Sequence, residues 1–196
     1  MIEKTLIADG VWLYTADIKD ISDAEFEKCF LLMSDEKRKT VEHFRSEEDK
    51  KRSIAADMLA RRAVAEQCGT PEADISFYRE QGGKPHVLGD ITEFNVSHSA
   101  DLVVCAVSDK PIGVDVEKIR DIDLGVAKRF FTENEIRYVG NSTENFFEIW
   151  TKKEAVVKCI GSGLRALSSI ETDTFEGQGF VLKTLFVGEY VISLCF

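Results

Sequence analysis

Asp115 and Glu117 stand two residues apart in the run PIGVDVE, residues 111–117. On a strand that spacing sends both carboxylates out of one face. The rest of the run is apolar, so a face with two like charges cannot be core unless a cation compensates them. A divalent ion does so, and magnesium takes oxygen donors from one or two carboxylates together with substrate phosphates. Taken alone, such a pair is more often a solvated sheet face. A second candidate lies in WTKKEAVVKCIGSGL, residues 150–164, where Trp150, Glu154 and Lys158 recur every fourth residue. They share one side of a helix. By itself the Glu154–Lys158 pair is an ordinary surface ion pair, worth about a few tenths of a kcal/mol.

Two further runs carry polar groups that suit a ligand. Gly82 and Gly83 permit a tight turn and close backbone approach. Lys84 then projects a cation from that turn, and Pro85 fixes its exit. His98 sits at a strand end between Ser97 and Ser99, where a histidine is more often structural than a ligand contact. The basic residues Lys37–Lys39, Lys50–Arg52 and Arg61–Arg62 are interleaved with acids. They read as a solvated face from which one or two side chains reach a phosphate.

These groups need elements to hold them. VWLYTA, residues 11–16, reads as a strand, and Ser22, Ser34 and Ser46 each open a helix. The helix after Ser46 is the longest of the first half. Its stripe runs Ile54, Met58, Leu59, Ala63, and Gly69 with Pro71 ends it. ISFYRE, FNVSHS, LVVCAVSD and PIGVDVE are short β-rich runs. A helix near Leu124–Phe131 follows, then one at Thr132, which forms a capping-box pattern with Glu135. A long helix spans Thr143 to Ile160, broken by Gly161 and Gly163, and FVLKTLFVG and YVISLCF return to strands. Each half thus carries strands and one long helix. That order predicts an α+β protein of two similar lobes, residues 1–100 and 101–196, with a ligand cleft between them.

Composition narrows the partners. A net charge of −10 disfavours broad nucleic-acid binding, which needs many cations on phosphate. The cysteines Cys29, Cys68, Cys105, Cys159 and Cys195 show no CxxC pairing, which suits reduced thiols better than a disulfide frame or a zinc site. No run approaches the roughly 20 apolar residues of a membrane helix, and the first residues do not read as a signal peptide. A soluble cytoplasmic protein with no membrane partner is expected.

In order and spacing, GKPHV, FNVSHS, PIGVDVEKIR, AKRFFTENE and WTKKEAVVKCIGSGL together resemble the surfactin-synthetase-activating type of 4′-phosphopantetheinyl transferase. The resemblance is dense from about residue 44 to 164. It implies a monomer whose two α/β lobes form an intramolecular pseudo-dimer, with coenzyme A as co-substrate and an apo acyl or peptidyl carrier protein as transient partner. It further implies magnesium, with manganese as a substitute, on Asp115, Glu117 and Glu154. Lys158 falls on the pyrophosphate, and Lys153 is the lysine of the KE pair and a further coenzyme A contact. Lys84, Pro85, Ser97 and His98 match the adenosine and 3′-phosphate pocket, and Lys37, Arg52 and Ser53 match positions near that phosphate. Asp115, Glu154 and Lys158 are the implied catalytic groups. Glu154 is the favoured base, and a water on the ion is the alternative. Ala155 stands where many relatives carry Ser, and the C-terminal region looks shorter than in the larger members. Two rivals are a magnesium-dependent phosphohydrolase, which leaves GKP and FNVSHS unexplained, and a non-catalytic coenzyme A-binding or carrier-docking module, which has no need of all three acids.

Overall fold

The computed structural model describes residues 1–79, 84–89, 92–161, 167–168, 170–172 and 179–196. The Gly82-Gly83 turn and the Gly163 break lie outside the described residues. The chain divides into two compact units, Met1–Lys110 and Pro111–Phe196.

In the first unit, β1 (Glu3–Ala8), β2 (Val11–Asp17), β5 (Glu93–Ser99) and β6 (Leu102–Ser108) form an antiparallel sheet in the order β1-β2-β6-β5. The helices are α1 (Asp23–Leu32), α2 (Asp35–Glu42) and α3 (Glu47–Cys68). Their starts follow from the three serines. Ser22, Ser34 and Ser46 each accept a backbone N–H of the first turn, and acids in that turn favour the helix dipole. Gly69 ends α3 at φ +67°, a left-handed conformation that glycine adopts freely. The stripe on α3 buries Met58, Leu59 and Ala63 against Tyr14, Val103 and Cys105 of the sheet. A two-stranded hairpin, β3 (Phe77–Arg79) with β4 (Pro85–Val87), lies alongside β5.

The division falls at 110/111 and not at 100/101. β6 pairs with β5 on one side and β2 on the other, with Ser97 opposite Val104 and Tyr14 opposite Cys105. A cut at 100 would sever the central strand from its sheet. β1 is a further difference. Five of its six residues are not fully buried, so the strand has almost no apolar alternation to betray it.

The second unit holds a three-stranded antiparallel sheet, β7 (Gly113–Lys118), β9 (Tyr190–Cys195) and β8 (Leu182–Val187), in the order β7-β9-β8. α4 (Ala127–Phe130), α5 (Glu133–Val139) and α6 (Thr143–Ile160) accompany it. Ser142 caps α6, accepting from Asn145 N at 3.1 Å, and Gly161 closes it at φ +68°. The two units share one plan, an antiparallel sheet with one long helix packed on it, and the fold is α+β.

Candidate active site

Gly113 sets the crossing of α6 over β7. A Cβ built there would lie 2.0 Å from Ala155 O and 2.5 Å from Cys159 N, so any larger residue would lift the helix off the strand. Side chains alternate along a strand, so Asp115 and Glu117 leave the same face as Gly113 and project toward the helix side. α6 answers with Glu154 and Lys158, which stand one turn apart.

The contacts follow from that register. Lys158 Nζ donates to Asp115 Oδ1 at 2.6 Å and to Val114 O at 3.2 Å. Glu117 accepts from Arg120 Nη1 at 3.0 Å. Glu154 is buried. Burial pushes its carboxyl up to about 7, and the negative charge of Asp115 adds to this. Lys158 pulls the other way, and Glu117 raises it further. With no ion bound, a carboxyl so placed is a proton acceptor matched to neutral pH. Opposite Asp115 in the sheet, Ser193 is fully buried. Its hydroxyl shares hydrogen bonds with Thr151 at 2.8 Å and Thr184 at 2.9 Å, so the neighbouring interior is satisfied without added charge.

The three acids are within electrostatic reach of one another. Even so, among the described residues no group of three His, Cys, Asp or Glu side chains stands ready-made around one point. Two of the carboxylates are instead held by Lys158 and Arg120. The chemistry of the donors suits a hard divalent ion, since they are carboxylate oxygens whose mutual repulsion such an ion relieves.

Lys153 departs from the expectation. It is 1% exposed, and its ammonium donates to Glu135 Oε2 at 2.7 Å and to Ile170 O. Glu135 Oε1 in turn accepts from Thr172 N and Oγ1, both at 3.1 Å, while Oε2 takes Thr132 N at 2.8 Å. Lys153 is therefore an interior counter-ion that ties α6 to α5 and to the segment at 170–172. The capping-box pattern marked Glu135, but nothing in sequence marked its pairing across 18 residues.

In the first unit the candidates are dispersed over several elements. Lys37 and Pro85 line a cavity of about 510 Å³ with Tyr78, Arg79, Val96 and the Asp57–Arg61 pair. Burial lowers the Lys37 pKa, and the charge of Arg79 lowers it further. Arg79 is a cation that sequence reasoning left out. Lys84 pairs with Glu93 at 2.9 Å. Arg52 bonds Asp49 and the carbonyl of Ala100, the tip of the β5–β6 hairpin, which sits at φ +48°. Ser53 is buried on α3. Ser97 is buried and His98 exposed, and adjacent strand residues point to opposite faces, so the two do not share a face.

Residues 20–110 match the family model for the 4′-phosphopantetheinyl transferase N-terminal region, and residues 111–195 match that of the 4′-phosphopantetheinyl transferase superfamily. Their junction coincides with the division of the chain. Over 157 residues the chain is 38% identical to the 4′-phosphopantetheinyl transferase gsp of Aneurinibacillus migulanus, covering 77% of this chain and 66% of that protein. It is 37% identical over 165 residues to a 4′-phosphopantetheinyl transferase of Bacillus subtilis, covering 81% and 71%. Over the same length it is 34% identical to the Bacillus subtilis enzyme Sfp, again covering 81% and 71%. The chain thus spans between 66% and 71% of the length of these relatives.

Proposed function

Because the chain belongs to the 4′-phosphopantetheinyl transferase superfamily, we propose that it moves the 4′-phosphopantetheine group of coenzyme A onto a serine of an apo acyl or peptidyl carrier protein. The observation that carries the residue assignment is the crossing at Gly113, which sets Glu154 and Lys158 of α6 on the side to which Asp115 and Glu117 project.

The serine hydroxyl is a poor nucleophile at neutral pH, and Glu154 accepts its proton. The oxygen then bonds to the phosphorus that carries the pantetheine arm. The bond from that phosphorus to the bridging oxygen breaks, and 3′,5′-adenosine bisphosphate leaves with the electron pair. Lys158 exchanges Asp115 for the diphosphate and offsets the charge growing on the bridging oxygen. Asp115, Glu117 and Glu154 would hold magnesium, which when bound neutralises the diphosphate and orients it for in-line attack. Lys37, Arg52, Ser53, Lys84, Pro85, Ser97 and His98 belong to the binding of the adenosine end, by resemblance and by the cationic cavity at Lys37. The monomeric state, the pseudo-dimer of the two units and a cytoplasmic location come with the same reading. Among the described residues no helix is long and apolar enough to cross a membrane.

Incubation with an apo carrier protein, coenzyme A and magnesium, followed by mass spectrometry of the carrier, tests the reading. A mass gain of one phosphopantetheine is expected. An unchanged carrier, or hydrolysed nucleotide without transfer, would contradict it.

A further inference from the structure

We propose that Arg120 is a built-in competitor for the divalent cation at Glu117, so that the ion is taken up more tightly together with a diphosphate than alone; this rests on the metal-dependent reading above. Arg120 follows the end of β7 and folds back so that Nη1 lies 3.0 Å from Glu117 Oε2. Two other contacts hold it there. The same nitrogen donates to Lys118 O at 3.0 Å, and the guanidinium carbon stands 5.0 Å from the centre of the buried Phe147 ring on α6. Neither anchor involves a carboxylate. When an ion claims Glu117, the guanidinium loses its ion pair but keeps the carbonyl and the ring, and its positive charge stays beside the incoming cation.

Two consequences follow. Without ligand, Arg120 on Glu117 and Lys158 on Asp115 offset the repulsion among the acids, which lets them sit on one face without an ion. With ligand, the diphosphate brings oxygen donors and negative charge that counter the guanidinium, so ion and coenzyme A each strengthen the other's binding. The size of the effect is bounded by the exposure of Arg120, 54% for its side chain. An exposed pair of this kind is worth about 0.2–1 kcal/mol, or about a 1.5- to 5-fold change in affinity.

The test is a manganese titration of the metal-stripped full chain, with free manganese read by electron paramagnetic resonance, for the wild type, Arg120→Ala and Arg120→Lys. Without coenzyme A, Arg120→Ala is expected to bind manganese about 1.5- to 5-fold more tightly, with the gap narrowing as salt is added. Arg120→Lys is expected between the other two, because it keeps the charge but not the planar contact with Phe147. A tightening cannot come from a damaged fold. Equal or weaker binding by Arg120→Ala overturns the proposal while leaving the transferase reading intact. If the wild type binds no manganese even with coenzyme A present, the metal-dependent reading itself fails.

Discussion

Replacing Glu154 by Gln should stabilise the metal-free protein while abolishing transfer. In the folded protein the Glu154 carboxyl titrates at about 7 against an ordinary value of 4.5, a rise driven first by burial and then by Asp115. At about 1.4 kcal/mol per tenfold change in proton affinity, a rise to about 7 costs at most about 3.4 kcal/mol. Water at the partly exposed Lys158 side chain screens part of this, which leaves about 1–2 kcal/mol. The sign follows from proton counting. Between pH 4.5 and 7 the unfolded chain has released the Glu154 proton and the folded chain still holds it. Stability therefore falls as pH rises through that window, and the penalty is complete above 7. Gln stays neutral and escapes the penalty. Urea unfolding in chelator should show Glu154→Gln more stable than wild type by about 1–2 kcal/mol at pH 8, with the two converging toward pH 5. A variant that is no more stable at pH 8, or that keeps the wild-type pH slope, would refute the reasoning. A gain in stability with loss of function is expected where an active site crowds like charges.

Lys153→Met should leave Glu135 buried without its cation and destabilise the protein by about 3–5 kcal/mol, measured by urea unfolding. Adding Glu135→Leu should recover only part of that loss, because it removes the stranded charge but leaves Thr132 N, Thr172 N and Thr172 Oγ1 without their acceptor. His98→Ala should raise the Michaelis constant for coenzyme A more than it lowers turnover, read by steady-state kinetics with saturating carrier. Lost turnover at an unchanged Michaelis constant would assign His98 to the chemical step instead.

Local signals in the sequence proved reliable where one residue sets one feature. The serines at 22, 34 and 46 accept first-turn N–H groups, and Gly69 and Gly161 take the left-handed conformation that ends a helix. The DxE spacing put Asp115 and Glu117 on one face, and the period of α6 put Glu154 and Lys158 together. What the sequence hid depends on partners far along the chain. Lys153 and Lys158 look alike as lysines flanking Glu154, yet one faces Glu135 in the interior and the other faces Asp115. The helical period sets Lys158 and not Lys153 on the face of Glu154, but it does not reveal that Glu135 waits for Lys153. The division at 110/111 was obscured for a similar reason, since β6 reads as one of a series of strands until its pairing with β2 is known. Nothing in the sequence marked Arg120, and only the segment after β7 returns it to Glu117.

The account depends on Asp115 helping to hold an ion that in turn holds a diphosphate. Coenzyme A affinity of Asp115→Ala in excess magnesium, measured by calorimetry beside the wild type, tests this most directly. Removal of the carboxylate should weaken coenzyme A by about tenfold or more, equivalent to about 1.4 kcal/mol. Binding of coenzyme A by Asp115→Ala at wild-type strength in the same buffer would contradict the account.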